Sequence, residues 1–179
     1  MEEEEINIET EEFDLKITNE DDLNEIVISG ELNKYYQKNL AFEGISVYDS
    51  TENSLKTLIS KTSPKSLYFK KCFFLDFNFL LKIDENFEKI SVIESELDTY
   101  KAKELISHLP TEVEISVDLS GNEIGLYEKV FFDFLKPAIF DPIVFKPLIL
   151  KDNKFSEKGI SDFKDFLKQY NLEDDFIIF

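Results

Sequence analysis

Val117-Asp118-Leu119-Ser120-Gly121-Asn122-Glu123-Ile124 has a counterpart in Leu148-Ile149-Leu150-Lys151-Asp152-Asn153-Lys154-Phe155, and both run apolar-x-apolar-x-x-Asn-x-apolar. Alternation at a period of two is the pattern of a strand with one buried face, so each stretch predicts a short strand turning two apolar side chains inward. The Asn falls where the chain bends away. Its amide can bond carbonyls that the next turn leaves unpaired. Apolar residues at helical spacing follow, so the unit reads as strand, bend, helix.

The same apolar pair recurs upstream at Ile26-x-Ile28, Ile45-x-Val47, Leu67-x-Phe69 and Ile90-x-Val92. With Val117 and Leu148, the starts lie 19, 22, 23, 27 and 31 residues apart by subtraction. Ser50, Cys72 and Ser95 take the place of the Asn in the second, third and fourth units. Helical spacing occupies Leu32 to Leu40, Leu55 to Ile59, Leu75 to Ile83, Ala102 to Leu109, Val130 to Leu135 and Ile160 to Tyr170. Ser54 and Ser156 stand where a helix start needs a capping hydroxyl.

On these residues the chain resembles the leucine-rich repeat family, close to the ribonuclease-inhibitor subtype with full helices on the outer side. The likeness is strongest from residue 114 to 170 and extends back to 25. It implies an α/β solenoid, a short horseshoe arc of about six repeats with parallel strands on the concave side and helices on the convex side. Asn and Cys are that family's usual choices at the bend, which implies a buried structural role for Cys72.

Residues 1–24 are expected to form an acidic N-terminal cap, a strand or hairpin, from the alternation in Ile6-x-Ile8 and Phe13-x-Leu15-x-Ile17. A first repeat has no neighbour and needs a polar-faced cover. Residues 25–179 are expected to form the repeat domain, with the whole chain one domain. The stretch 136–147 holds Pro137, Pro142 and Pro147, and the expectation is an inserted loop, with Ile139, Phe140, Ile143 and Val144 packed beneath the last repeat. The apolar tail ending in Ile177-Ile178-Phe179 predicts a final strand, whose unpaired edge could also form a homodimer.

Composition narrows the function. A hydrophobic content of 42% argues against disorder. The 38 acidic residues face 20 basic ones, all Lys, and the net charge of −18 argues against direct binding of nucleic acid or an anionic membrane, whose phosphates require Lys and Arg. Residues 1–25 hold 12 of the acidic residues against Lys16 alone. That acidic start and the absence of a long apolar run are unlike a secretory signal or a membrane span, and together with the single Cys72 they point to the cytoplasm.

No chemistry-bearing constellation stands out. His108 is the only histidine and suits the last turn of a helix. The five glycines form no phosphate-cradling motif, and Asp118-x-Ser120-x-Asn122 lacks the later ligands of a calcium loop. The expectation is a non-enzymatic protein with no cofactor, no catalytic residue and no metal site.

A binding surface can be named from the register. Residues between the inward pairs face the concave side, among them Tyr48, Tyr68, Lys70, Ser91, Ile93, Asp118 and Ser120. Tyr48 and Tyr68 would stand on adjacent strands as hot-spot candidates. Glu94, Glu96 and Glu123 would line one rim just past the strands, beside Glu31, Asp49 and Asp152. An acidic rim beside a tyrosine-bearing floor suits a basic protein. The expected function is an intracellular inhibitor or immunity-type protein, monomeric or in a 1:1 complex, that masks a basic toxin or nuclease. The alternative is a bacterial effector or adaptor using the same surface on a host or signalling protein.

Overall fold

The computed structural model describes residues 12–110, 113–140, 145–170 and 177–179. Strand β1 (Leu15–Ile17) leads into helix α1 (Glu20–Ser29), and β2 (Asn39–Glu43) followed by the short β3 (Ser46–Val47) leads into α2 (Asp49–Thr62). Next come β4 (Ser66–Lys70), β5 (Phe73–Phe74), a 3-10 turn at Asn78–Lys82, β6 (Lys89–Ile93) and α3 (Thr99–His108). The chain continues through β7 (Ile115–Asp118), α4 (Glu128–Phe140), β8 (Phe145–Ile149), α5 (Glu157–Gln169) and β9 (Ile177–Ile178). This is an α/β fold. Among the described residues, seven strands form one parallel sheet in the order β1-β2-β4-β6-β7-β8-β9, and β3 pairs with β5 in a second, smaller parallel sheet. Parallel neighbours need a crossover of about a dozen residues or more, and the long intervals between apolar pairs supply it.

One face of the large sheet is covered. Leu40, Leu67, Ile90, Val117 and Leu148 share a register row, Phe42, Phe69 and Val92 form the next, and all are buried. They belong to one core with Leu23 of α1, Leu55 and Leu58 of α2, Leu105 of α3 and Phe131 and Leu135 of α4. Each such side chain contributes roughly 1.5–3 kcal/mol by leaving water. Where the 3-10 turn replaces a full helix, phenylalanines fill the volume instead. Phe69 lies 5.2 Å from Phe74 and 5.5 Å from Phe79, and Phe74 lies 4.9 Å from Phe77, between ring centroids.

The bends after the strands are bound by side-chain amides, as the opening stretch predicts. Asn122 Oδ1 accepts the N–H groups of Ser95 (2.9 Å) and Leu97 (3.1 Å), while Nδ2 donates to the carbonyls of Val92 (2.7 Å) and Leu119 (2.9 Å). Asn153 does the same one unit on, accepting from Ile124 N–H and donating to Leu119 and Leu150 carbonyls. Cys72 and Ser95 continue the column: the thiol faces the carbonyls of Phe42 and Lys70, and Ser95 Oγ accepts from Cys72 N–H and donates to Ile93 O. The residue before each of these is left-handed, with φ of 53° at Lys71, 49° at Glu94, 70° at Gly121 and 55° at Asp152. The repeated bend thus imposes a conformation that only glycine adopts without cost.

Several expectations need correction. Ile26 and Ile28 lie in α1, not in a strand. Asn19 caps that helix by accepting Asp22 N–H, Glu20, Asp21 and Asp22 favour its positive end, and Gly30 closes it with φ of 74°. The expected boundary between residues 24 and 25 therefore falls inside α1, and β1 pairs in parallel with β2. In the second unit the sheet strand carries Leu40 and Phe42, whereas Ile45 and Val47 belong to the bend and to β3. The segment expected to be helical up to Leu40 is a 3-10 turn at Leu32–Tyr35 followed by β2, and within Leu75 to Ile83 only Asn78–Lys82 is helical, as a 3-10 turn.

Ile45, not Ser50, takes the position of the bend Asn there, three residues after Phe42. Ser54 lies within α2, with its hydroxyl on Asn24 Oδ1, whereas Ser156 caps α5 by accepting Gly159 N–H. Pro137 sits inside α4, where the exposed proline removes one N–H without ending the helix. Pro147 lies in β8, at the register shift between Ile115 and Val117 of its partner, and such irregularities are where a sheet tolerates proline. Ile177–Ile178 forms the expected final strand against β8. The Ile6-x-Ile8 alternation, Ile143 and Val144 lie outside the described residues, as do the side chains of Ile139 and Phe140.

Candidate interaction surface

The sheet face away from the helices carries the residues that alternate with the core. One register row is Lys16, Ala41, Tyr68, Ser91, Asp118 and Ile149, and the next includes Glu43, Lys70 and Ile93. Much of this face is satisfied internally. Tyr68 packs on Phe13, with ring centroids 4.9 Å apart. Ser91 is only 2% exposed, so the short side chain between longer neighbours is buried rather than presented. Asp118 Oδ1 accepts both the N–H (3.0 Å) and the hydroxyl (2.6 Å) of Ser120, which commits both expected contact residues to the turn. Lys16 meets Glu43 at 2.6 Å, and this bond holds the Glu43 carboxyl below its ordinary range.

The rim residues divide. Glu94 sits between Lys70 and Lys71, 3.6 Å from each. Glu123 is bonded to Lys154. Glu96 is exposed and is paired with no lysine among the described residues. Lys71, Phe73, Glu94 and Glu96 border a shallow depression of 430 Å³ with Cys72 and Ser95 at its base. Burial pushes the Cys72 thiol up to about 11, the direction opposite to an activated nucleophile. His108 ends α3, as expected, with Nδ1 2.7 Å from the Glu104 carbonyl.

Tyr48 does not stand beside Tyr68. It precedes α2, on the flank of the molecule where bends pass into helices. There it joins residues that are not among the expected contacts. Phe73 is 63% exposed, Tyr100 57% and Tyr127 55%, and Leu75 and Leu126 are similarly open. The set recurs in four successive units, which are joined beside it. Leu75 N–H donates to Val47 O beside Tyr48, Lys101 Nζ next to Tyr100 bonds the Leu75 carbonyl, and the rings of Tyr100 and Tyr127 lie 5.8 Å apart. Comparison with protein-family models, curated proteins and solved structures gives no match. The surface therefore has to be read from its own chemistry.

Alternation explains which residues came to the flank. In Cys72-Phe73-Phe74-Leu75 the bend and Phe74 point into the core, which leaves Phe73 and Leu75 outside. A stretch apolar on both faces is the signal that could have found them. Around the stripe stand Asp49, Asp76, Glu96 and Asp98, none paired with a lysine among the described residues. Asp76 and Asp98 accept backbone N–H groups from Asn78 and Lys101. Among the described residues no group of three or more His, Cys, Asp or Glu side chains could hold a metal ion, and no helix is long and apolar enough to cross a membrane.

Proposed function

We propose that the chain is a leucine-rich-repeat-type solenoid, close in plan to the ribonuclease-inhibitor subtype, that acts as a non-enzymatic protein-binding module and masks a basic partner such as a toxin or nuclease. The strand spacing, the sequential parallel sheet and the Asn, Cys and Ser column at the bends support the repeat assignment. The single observation that carries the binding role is the charge, 38 carboxylates against 20 lysines, on a scaffold whose lysines such as Lys16, Lys70, Lys71 and Lys154 already neutralise its own acids. Carboxylates such as Asp49 and Glu96 are left to meet an external cation. An acidic field of this kind speeds encounter with a basic protein and disfavours acidic ones.

The test is capture by the immobilised full chain, followed by reconstitution. The expected partner is basic, is released as salt rises, and loses its own activity at one equivalent of this protein. A captured set no more basic than the input, or a bound partner that stays fully active, contradicts the proposal.

A further inference from the structure

We infer that the docking surface is the flank stripe of Tyr48, Phe73, Leu75, Tyr100, Leu126 and Tyr127, and that its occupant is a basic protein segment that also carries apolar side chains. The inference rests on the protein-binding reading above and gives that reading a place and a chemistry. The open sheet face has its tyrosine against Phe13, its serine at 2% exposure and its charges in pairs. The flank instead presents six large side chains that are each about half exposed. Exposed large apolar side chains repeated along one flank mark an interaction site, and Tyr is favoured there because it combines buried area with a polar tip.

Two hydrogen bonds tie neighbouring units beside the stripe. The Leu75 N–H to Val47 O bond and the bond from Lys101 Nζ to the Leu75 carbonyl join successive units directly beneath it. Units in a parallel sheet repeat every ~4.8 Å, so the stripe from Tyr48 to Tyr127 spans about 15 Å. That matches roughly ten residues of helix or five of extended chain.

Charge selects among occupants. Asp49, Asp76, Glu96 and Asp98 stand beside the stripe without lysine partners among the described residues, while Lys101 pairs with Glu104 and Lys103 lies over the Tyr100 ring, so carboxylates outnumber lysines there and a segment carrying Lys or Arg beside its apolar residues is complementary. A second copy of this chain would bring the same carboxylates and a further −18 of net charge to the contact.

The experiment selects a displayed library of random 12-residue peptides on the full-length protein and measures the consensus peptide by titration. Three chains are compared: wild type, Tyr100→Ser with Tyr127→Ser on the flank, and Lys70→Ala with Ile93→Ser on the open face, each checked by circular dichroism. The expected result is enrichment of peptides mixing Lys or Arg with apolar residues. Binding should fall at least tenfold in the flank variant and by less than twofold in the open-face variant. Loss confined to the open-face variant overturns the placement and leaves the basic-partner reading standing. Enrichment of acidic peptides, or none, overturns the occupant chemistry, while whole-protein capture separately judges the broader reading. A wild-type dimer in light scattering that the flank variant abolishes assigns the stripe to a second copy and overturns the inference.

Discussion

Replacing Asn122 by Ala removes the most heavily used bend amide. The side chain is 2% exposed, and two N–H groups, from Ser95 and Leu97, have its Oδ1 as their acceptor. Truncation leaves both donors without that partner in a buried bend, and each orphaned group costs about 1–3 kcal/mol. Two such groups, with the lost donations to the Val92 and Leu119 carbonyls partly relaxed, give on the order of 3–5 kcal/mol. A domain of this size has about 5–15 kcal/mol in total, so the variant should be severely weakened yet measurable. At about 2–4 °C per kcal/mol for a chain of this length, the melting temperature should fall by about 10 °C. Urea unfolding followed by circular dichroism is the assay, with the midpoint lowered and the slope unchanged. Asn153→Ala should cost about half as much, because its Oδ1 holds one N–H group, that of Ile124, and the site is only half-buried. Asn122→Cys should fall between Ala and wild type. A thiol reaches carbonyls in the way Cys72 reaches Phe42 O and Lys70 O, but it is a poor acceptor for the two N–H groups. A loss below about 1 kcal/mol for Asn122→Ala would refute the view that the bend column holds the fold together.

Gly125→Ala should destabilise by about 3 kcal/mol or more in the same assay, since a Cβ there would lie 2.1 Å from Phe155 N and Lys154 C, which are backbone atoms that cannot swing away. Glu94→Gly should stabilise by about 0.5–1 kcal/mol in urea unfolding, because φ of 49° strains a Cβ-bearing residue and the Lys70 and Lys71 contacts it loses are exposed. The Cys72 thiol is raised in the fold from 9.0 to about 11, so the folded state binds more proton than the unfolded one between those values. Its contribution is present below pH 9 and is lost as pH rises through 11, by on the order of 2 kcal/mol. Thermal melts of wild type and Cys72→Ser from pH 8 to 11 should diverge accordingly.

The parts of the fold that were legible are those where local pattern and tertiary demand coincide. Leu67-x-Phe69, Ile90-x-Val92 and Leu148 onward alternate cleanly, and the bend Asn stands at a fixed offset from its strand, although its bonds to Ser95, Leu97 and Val92 reach into the preceding unit and are tertiary. The second unit was ambiguous because Leu40-Ala41-Phe42 and Ile45-Ser46-Val47 both alternate. Only pairing with Leu67 and Phe69 tells the sheet strand from the bend strand, and that is tertiary information. At Ile26-x-Ile28 the competing signals are local. The Asn19 cap, the acidic first turn and Gly30 were present in the sequence, and they outweigh two alternating residues.

The candidate surface was less legible for a physical reason. Exposure depends on what lies alongside, and Ser91 and Tyr68 are covered by neighbours distant in sequence or on other strands. Tyr48 kept its expected exposure but moved to the flank once β2 shifted upstream. Glu94, Glu96 and Glu123 do gather past the strands, and Glu94 and Glu123 are paired there with lysines. Phe73, Leu75, Tyr100 and Tyr127 were hidden because an apolar residue beside a core residue reads as core until the inward direction is known.

The central claim is that an acidic scaffold presents its flank to a basic protein, and photo-crosslinking to the captured partner tests it most directly. Benzoylphenylalanine is placed at position 73 on the flank and, separately, at position 93 on the open sheet face. The account predicts a crosslink from position 73, little from position 93, and an attached partner fragment rich in Lys or Arg. A crosslink from position 93 alone, or an adduct at 73 to a second copy of this chain, would contradict it.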